Sequence, residues 1–486
     1  MKKYLIVILC LCLAAAGVGG IGVLKSLAPD VPGTETAYRD GVIGGNGGAG
    51  KPSGIFGGLF DREAAPAAVD SAPMPVSGDY SIKTDTLMPE GVVGGVPGPW
   101  GQTEIHAGML TAREWSDFRN LQDFLDFIAK EDAAEVLARR SLAYGNIVKV
   151  TGLNPLVPVR LLAGQEVLFE AVSNIRGEAV LISAEDRTGG SVTLDAGGAL
   201  QAVVLTGKVT EVNLGGMTDA KADQLDLMLM IDTTGSMGDE LEYLKKELQN
   251  VVEAVYALNP GMSIRVSVNF YRDEGDEYVV KYYDFREDVK DAVELLSSQY
   301  SAGGGDYPEA VHTALDNAVF GHDWRPGAVK LCYLVLDAPP HDDGEYAYDE
   351  RGGSQGRLVS GINESLKKSA AGAAKLGIRM IPVVASGTNK DLETLGRGWA
   401  LQTGGTYIYL TNDSGIGFYH EKPDTPETQL EYLNDCMIRV TAEYCGLTYE
   451  AQSYPEPSEW EGPTGWERDP WIGITDPTPG YPSEER

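Results

Sequence analysis

The stretch of residues 225–238, LDLMLMIDTTGSMG, constrains the fold more than any other part of the sequence. Residues 225–231 are apolar except for one aspartate, which is typical of a strand buried on both faces of a parallel sheet. A helix is predicted directly after the strand, because leucines and valines recur at three- and four-residue spacing from Leu241 to Leu258, before Pro260. A buried strand that leads into a helix predicts an α/β sheet.

One carboxylate and two hydroxyls lie in the turn between that strand and that helix: Asp232, Thr234 and Ser236. In open α/β sheets, ligands bind at the carboxyl ends of the strands. Oxygen ligands of this kind suit a hard divalent cation such as Mg²⁺. We therefore expect a metal site at this turn.

The sequence from residue 222 to residue 446 alternates strand patterns with helix patterns. Further strands are predicted at residues 263–273, 278–285, 329–337, 378–386 and 406–410. Further helices are predicted at residues 287–298, 308–320, 358–375 and 429–443. This alternation predicts an α/β domain with a doubly wound, mostly parallel, Rossmann-like sheet.

Two smaller regions precede this domain. Residues 102–145 are predicted to be a helical segment, because apolar residues from Trp115 to Leu137 recur at helical spacing. Residues 146–210 consist of short apolar runs separated by Gly-containing turns, which predicts a small β-sandwich that acts as a spacer. Within it, residues 172–179 resemble part of the transthyretin-like and carboxypeptidase-regulatory-like modules of secreted proteins.

The two ends of the chain have distinct compositions. Two lysines precede an uncharged stretch near the start, so residues 1–28 fit either a cleaved signal peptide or an uncleaved membrane anchor. Residues 29–101 are rich in Gly and Pro and predict a flexible linker. Residues 452–486 are rich in Pro, Glu and Trp and predict a disordered or surface-bound tail. We expect the bulk of the chain outside the cytoplasm, with membrane contact only through the N-terminal segment.

Acidic residues greatly outnumber basic ones. The chain has 71 Asp and Glu against 39 Lys and Arg, which gives a formal charge of −32. A surface this acidic repels nucleic acid and anionic membranes, and it suits cation binding. Nucleic acid is therefore not an expected partner.

Three cysteines lie in the predicted α/β domain. Cys332 falls inside an apolar strand and is expected to be a core residue. Cys436 and Cys445 can pair only if the helix breaks between them, because nine helical residues span about 13 Å. An odd number of cysteines implies no disulfide framework.

Three loops together resemble the metal loops of a known family. The first begins at Asp232, the second is residues 303–310, GGGDYPEA, and the third is residues 334–341, LVLDAPPH. In this order, each at a strand end, they resemble the metal-ion-dependent adhesion site of von Willebrand factor A (vWA) domains, of the hemicentin and integrin β-subunit type. The resemblance covers residues 222–446.

The resemblance implies five metal ligands. Ser236, Thr234 and Glu309 would bind the ion directly, and Asp232 and Asp337 would bind it through water. The implied ion is Mg²⁺ or Mn²⁺, with coordination positions left for water and for one external oxygen.

Four further acids match neighbouring metal sites of the same type of domain, for which Ca²⁺ is the implied ion: Asp239, Glu240, Asp273 and Asp306. Other interpretations stay open at this point. Asp239 and Glu240 would stabilise the positive end of a helix, and Asp306 would cap a helix that begins at Pro308.

Hydrolytic chemistry is not expected of this sequence. Such chemistry needs a nucleophile activated by a base, or a metal-bound water with a positioned base. No Gly-x-Ser-x-Gly, His-Glu-x-x-His or paired Cys/His motif occurs in the sequence. His341, beside Asp342 and Asp343, is interpreted as a solvated loop residue. We therefore expect that the chain is not an enzyme.

These patterns predict an exported or surface-attached protein of bacterial type, whose vWA domain binds a protein partner. An Asp or Glu carboxylate of the partner would complete the coordination of Mg²⁺. The alternative is a structural or assembly component of the cell envelope, whose metal site stabilises the fold without an external ligand. The polar loop of residues 339–356 is expected to select the partner through Tyr346 and Tyr348; a disordered insertion is the alternative for this loop.

Overall fold

The computed structural model describes residues 41–43, for which only the main chain is described, and residues 105–216, 220–348 and 357–451. Within these residues, four sheets are formed: one of nine strands, one of four, one of three and one of two. The predicted signal or anchor segment at residues 1–28 and the predicted tail at residues 452–486 lie outside the described residues. Among the described helices, none is long and apolar enough to cross a membrane.

The strands are, in chain order, β1 (Gly41–Ile43), β2 (Thr111–Trp115), β3 (Asn146–Thr151), β4 (Pro158–Ala163), β5 (Glu166–Val172), β6 (Ala179–Ser183), β7 (Ser191–Ala196), β8 (Ala199–Val204), β9 (Val209–Asn213), β10 (Gln224–Asp232), β11 (Ser263–Tyr271), β12 (Val280–Tyr282), β13 (Val329–Leu336), β14 (Tyr346–Ala347), β15 (Arg357–Leu358), β16 (Ile378–Val384), β17 (Tyr407–Leu410) and β18 (Glu431–Tyr432). The α-helices are α1 (Leu121–Ile128), α2 (Glu131–Arg139), α3 (Leu241–Leu258), α4 (Val289–Ser297), α5 (Val311–Phe320), α6 (Ile362–Leu376), α7 (Lys390–Thr403) and α8 (Leu433–Tyr444). Short 3₁₀ turns cover Gly235–Asp239 and Asn412–Ser414.

The nine-stranded sheet has the order β1-β12-β11-β10-β13-β16-β17-β2-β18. Its five central strands, from β11 to β17, run parallel. The strands at both edges run antiparallel to their neighbours. The prediction of a doubly wound, mostly parallel α/β sheet is therefore confirmed.

Strand β10 lies in the middle of this sheet and is buried on both faces. Leu227 and Leu229 pack in the apolar cluster that contains α3 and α8. Met228 and Met230, which point to the opposite face because strand side chains alternate, pack in the cluster with α5, α6 and α7. Because β10 is buried on both faces of the sheet, it needs apolar residues at consecutive positions.

The chain continues from β10 to β11 on one side, and later places β13 on the other side of β10. Such a reversal of strand order opens a crevice at the carboxyl ends of the strands, where α/β proteins bind ligands. Asp232 ends β10 and Asp337 directly follows β13, so both carboxylates lie at this crevice.

The three-stranded sheet (β6-β3-β9) and the four-stranded sheet (β5-β4-β7-β8) share one apolar core. Val148 and Leu181 of the first sheet pack in the same cluster as Leu161 and Leu194 of the second. These sheets cover the region between residues 146 and 213. They precede the α/β domain in the chain and contact α6 through β5.

The prediction of a helical segment from residue 102 was wrong at residues 111–115. These residues form β2, which pairs antiparallel with β17 and with β18 in the main sheet. Apolar residues do recur at helical spacing here, but α1 begins only at Leu121. Residues 111–115 are instead held as a strand by pairing with distant parts of the sheet. Similarly, Gly41–Ile43, within the predicted flexible linker, forms β1 against β12; the rest of that linker lies outside the described residues.

The three cysteines of the α/β domain are buried free thiols. Cys332 lies in the core strand β13, as predicted. Cys436 lies within α8 and Cys445 is its C-terminal cap residue, so the unbroken helix keeps the two sulfurs apart. Burial raises the pKa of Cys332 to about 12, so this thiol stays protonated at neutral pH.

The segment before the sandwich is tied to the α/β domain by a buried ion pair. Asp117 accepts hydrogen bonds from Nε and Nη2 of Arg397 at 2.9 and 2.7 Å. Both side chains are almost fully buried, and Arg397 also contacts Glu393 on the same helix at 3.1 Å. This pair joins the turn after β2 to α7.

We expect Asp117→Ala to lower the free energy of unfolding by about 3–5 kcal/mol, because the substitution leaves the Arg397 guanidinium buried without its main partner. Urea denaturation followed by circular dichroism measures the change. Asp123→Ala, at an exposed position of α1, is the matched control and should change little. Equal stability of the two variants would mean that this ion pair does not hold the segment in place.

Candidate metal centre

The first loop of the candidate site is closed by its own hydrogen bonds. Asp232 Oδ1 accepts hydrogen bonds from the main-chain N–H of Thr234 at 2.8 Å and from its hydroxyl at 2.7 Å. The Thr234 hydroxyl lies 3.2 Å from that of Ser236. The loop thus brings together the carboxylate and the two hydroxyls that the sequence predicts. Gly235 and Ser236 are exposed, so this side of the group is open to solvent.

The second loop places Glu309 against the first. Gly304 lies between them in a left-handed conformation, with φ of 73°. A Cβ at this position would lie 3.1 Å from Glu309 Oε1 and 3.6 Å from the Cβ of Thr234. A larger residue would therefore approach Glu309 Oε1 too closely and would be strained at this φ, whereas glycine allows the two loops to approach. The N–H of Gly235 also donates to the carbonyl of Gly303 at 3.1 Å.

The third loop follows β13 and is bonded to the second. The N–H of Glu309 donates to the carbonyl of Pro339 at 2.9 Å, and Glu309 forms an isolated parallel bridge with Pro340. Asp337 interacts with the Ser236 hydroxyl of the first loop. The structure thus brings Asp232, Thr234, Ser236, Glu309 and Asp337 to one end of the sheet, as the sequence predicts.

Three carboxylates of this group are buried close to one another. Burial is the main cause that raises the pKa of Asp232 to about 6, and the charge of Asp273 raises it further. Burial, and then the charge of Asp232, raise the pKa values of Glu309 and Asp337 well above the usual range. These shifts indicate that the ionised carboxylates are destabilised by one another and by burial.

The buried oxygens of this group also have unused hydrogen-bonding capacity. Asp232 Oδ2, Glu309 Oε2 and Asp337 Oδ1 accept no hydrogen bond from the described part of the chain. Buried carboxylate oxygens without donors need a cation or a proton. Carboxylate and hydroxyl oxygens are the ligands that Mg²⁺ and Mn²⁺ prefer, so this donor set fits a divalent cation.

Asp239 and Glu240 have partners of their own within the chain, and the charge of Glu240 helps to raise the pKa of Asp337. Asp239 Oδ2 accepts hydrogen bonds from the Ser386 hydroxyl at 3.3 Å and from the N–H of Phe418 at 2.7 Å. Glu240 Oε1 lies 2.6 Å from His420 Nε2, and both side chains are buried. The structure therefore gives both carboxylates neighbours within the chain, and a Ca²⁺ site at this pair stays a prediction.

Asp273 and Asp306 lie together beside the first group. One ligand atom from each, with one from His341, lies within 4.8 Å of the other two. Asp306 does not cap a helix, since α5 begins at Val311, and its Oδ1 instead accepts from the N–H of Tyr348 at 3.2 Å. The capping interpretation of Asp306 was therefore wrong.

The interpretation of His341 as a solvated loop residue was also wrong. His341 is fully buried, and its Nε2 lies 2.8 Å from Asp273 Oδ1. Burial alone lowers the pKa of His341, but the hydrogen bond to Asp273 and the Asp273 charge raise it overall. The acidic neighbours in sequence suggested an exposed loop, whereas the loop folds back against the sheet edge.

Arg140 supports the third loop, and no sequence pattern indicates this role. Its guanidinium donates to the carbonyl of His341 and, at 2.7 Å, to that of Pro340, and it pairs with Asp342 at 2.8 Å. Arg140 is buried at the end of α2, 201 residues before His341. The predicted helical segment of residues 102–145 therefore shares in positioning the site.

Tyr346 and Tyr348 follow this loop and are exposed. Tyr346 lies in β14, which pairs with β15 to form the two-stranded sheet. Residues 349–356 of the predicted recognition loop lie outside the described residues.

Residues 226–413 match the family model of the von Willebrand factor type A domain. A stretch of 120 residues, 24% of the chain, is 32% identical to an ariadne-like RING finger protein of Acanthamoeba polyphaga mimivirus, of which it covers 11%. A stretch of 132 residues, 27% of the chain, is 25% identical to an alpha-protein kinase of Dictyostelium discoideum, of which it covers 21%. The chain thus spans about a tenth and a fifth of these relatives, and the family match supports a vWA domain within it.

We expect the metal-free protein to lose stability as pH rises from about 4 through 6. Because Asp232 has a higher pKa in the folded state than its usual 3.8, the folded state binds the proton more tightly across this window. Each step up in pH therefore favours unfolding, with a total effect on the order of 2–3 kcal/mol. Thermal melts in chelator, at several pH values, measure this trend.

Asp232→Asn is the control for this trend, since it lacks the titrating group and should show a weaker dependence on pH. Saturating Mg²⁺ should reduce the decline in the unsubstituted chain, because the cation favours the ionised form. If the metal-free, unsubstituted chain instead gained stability between pH 4 and pH 6 relative to Asp232→Asn, the assignment of a buried, mutually destabilised carboxylate group would be contradicted.

Proposed function

We propose that the chain is exported and that its vWA domain binds a protein partner through a divalent cation, Mg²⁺ or Mn²⁺. Asp232, Thr234, Ser236, Glu309 and Asp337 would hold the ion. When bound, the ion would supply a positive charge and an open coordination position for an Asp or Glu carboxylate of the partner. vWA domains are commonly involved in protein–protein interaction, which supports this proposal.

The observation that carries the proposal is a buried carboxylate group with one open side. Asp232, Glu309 and Asp337 are 0–3% exposed, whereas Gly235 and Ser236 above them are exposed. A cation held by these buried oxygens would thus be reachable from solvent across the Ser236 side. This arrangement favours binding to an outside ligand over a purely internal role.

The chain's own residues favour binding over catalysis in this proposal. The Thr234 hydroxyl is hydrogen-bonded to Asp232, and the Ser236 hydroxyl is held near Thr234 and Asp337. The neighbouring imidazole, His341 of the third loop, is fully buried against Asp273. A hydroxyl nucleophile with an accessible base is therefore not part of the proposed site.

Export is the part of the proposal that rests on sequence. Residues 1–28 contain two lysines followed by a long uncharged stretch, which is typical of a signal peptide or a membrane anchor. The excess of acidic residues is compatible with a soluble protein outside the cell that binds cations. An envelope component whose metal only stabilises the fold is the alternative function.

We expect capture of the partner to require both the cation and Asp232. The full chain, immobilised, is incubated with a surface extract of the source organism in Mg²⁺ and then in chelator, and proteins retained only in Mg²⁺ are identified. Asp232→Ala should abolish the retention of these proteins while the circular dichroism spectrum stays that of the folded chain. Glu253→Ala, an exposed acid on α3, is the matched control and should retain them.

Two results would contradict this function. Retention that is the same in Mg²⁺ and in chelator would show binding independent of the cation. Unfolding of the chain in chelator would instead support the alternative, in which the metal site stabilises the fold.

We expect Tyr346→Ser combined with Tyr348→Ser to weaken partner capture about tenfold or more, because exposed tyrosines next to a metal site provide apolar contact area for recognition. The affinity for Mg²⁺, measured by isothermal titration, should be unchanged. Leu200→Ser, at an exposed apolar position of the sandwich strand β8, is the control. Undiminished capture by the double variant would place specificity elsewhere on the domain.

A further inference from the structure

The group formed by Asp273, Asp306 and His341 has the composition of a metal site in its own right. One nitrogen of the imidazole and one oxygen of each carboxylate lie within 4.8 Å of one another. Asp273 and His341 are fully buried, and Asp306 is half-buried. The imidazole Nε2 is 2.8 Å from Asp273 Oδ1.

The hydrogen bond between Asp273 and His341 does not satisfy all the polar atoms of this pair. Asp273 Oδ2 and His341 Nδ1 are both buried and form no hydrogen bond with the described residues. A buried carboxylate oxygen without a donor is costly unless a cation or a proton is nearby. The unpaired Oδ2 of the fully buried Asp273 thus points to a ligand, whereas Nδ1 of His341 faces Glu345 Oε2 at 3.8 Å.

We propose that Asp273, Asp306 and His341 form a second metal site, which binds a divalent transition-metal ion such as Zn²⁺. Ca²⁺ and Mg²⁺ select oxygen ligands, whereas an imidazole nitrogen suits zinc and the other first-row transition metals. The buried histidine therefore changes the ion expected here from the Ca²⁺ that the two carboxylates alone would suggest.

The spacing of the three residues is compatible with a shared ion. Ligand atoms at about 2.1 Å from one ion lie about 3 to 4 Å apart. The 2.8 Å between His341 Nε2 and Asp273 Oδ1 is already near the shorter of these separations. The other separations in the group are at most 4.8 Å, so a contraction of about 1 Å or less brings them into this range.

Residues around this group contact two of its ligands, His341 and Asp306. Glu345 Oε2 lies 3.8 Å from the other ring nitrogen of His341, which is too far for a hydrogen bond but places a carboxylate on the side from which metal-binding imidazoles are commonly oriented. Arg140 fixes the carbonyl of His341, and the N–H of Tyr348 fixes Asp306. Three different parts of the chain thus converge on the ligands.

The second site has a ligand set separate from that of the first. The first group consists of oxygen atoms only. They come from the loop after β10, from Glu309 before α5 and from Asp337 after β13. The second adds Asp273 after β11 and the imidazole of the third loop. Binding of zinc therefore tests the second site, whereas capture of a partner in Mg²⁺ without zinc tests the proposed function.

The experiment uses the full chain, stripped of metal and then saturated with Mg²⁺, and titrates it with Zn²⁺ in a calorimeter. We expect one equivalent of zinc to bind. His341→Gln and Asp306→Asn should each weaken zinc binding about tenfold or more, because each removes one ligand. Co²⁺ in place of Zn²⁺ gives a visible absorption spectrum that should change in the same two variants.

Thr234→Ala is the matched control, since it removes a ligand of the first group without changing charge. It should weaken Mg²⁺ binding and leave the zinc affinity unchanged. If His341→Gln fails to fold, as judged by its thermal melt, Asp306→Asn at the half-buried position still tests the site. The proposal is overturned if zinc does not bind, if all variants bind it equally, or if Thr234→Ala abolishes its binding.

Discussion

Mutual repulsion among buried carboxylates at one end of the sheet is the constraint on which the rest of the site depends. Asp232, Glu309 and Asp337 are nearly inaccessible to water, and burial with the neighbouring charges raises all three pKa values. Isolated buried charges are costly, so acids in this arrangement imply compensation by a cation. The close approach at Gly304 and the bond between Glu309 and Pro339 keep the three loops together despite this repulsion.

The support for these loops extends beyond the vWA region itself. Arg140 reaches the third loop from the end of α2, and the buried pair of Asp117 with Arg397 joins the turn after β2 to α7. Glu247 of α3 accepts hydrogen bonds from three consecutive N–H groups, those of residues 108–110. The segment ahead of the sandwich is therefore part of the structure that positions the site, although it lies outside the matched residues 226–413.

Much of the central sheet and of the first metal group was predictable from sequence. Local patterns carried that information: residues 227–231 of β10 are a continuous apolar run, and Asp232 occurs where the strand ends. The errors arose where partners are distant in sequence. Trp115 pairs with Tyr407 across 292 residues, so the strand character of β2 comes from the sheet and not from its own five residues. His341 and Arg140 likewise gain their roles only from the folded loop, and no local pattern distinguishes them from surface residues.

The position of β2 in the sheet also determines when the domain can finish folding. The strand is synthesised before the sandwich, but its neighbours β17 and β18 follow hundreds of residues later. Pairing between segments so far apart forms slowly, because a long loop must close first. Until then, the edge of β17 presents unpaired N–H and C=O groups, which is a template for pairing with another chain. A chain that is truncated so that it lacks β2, or in which β2 has not yet paired with β17, is therefore prone to associate with other chains through β17.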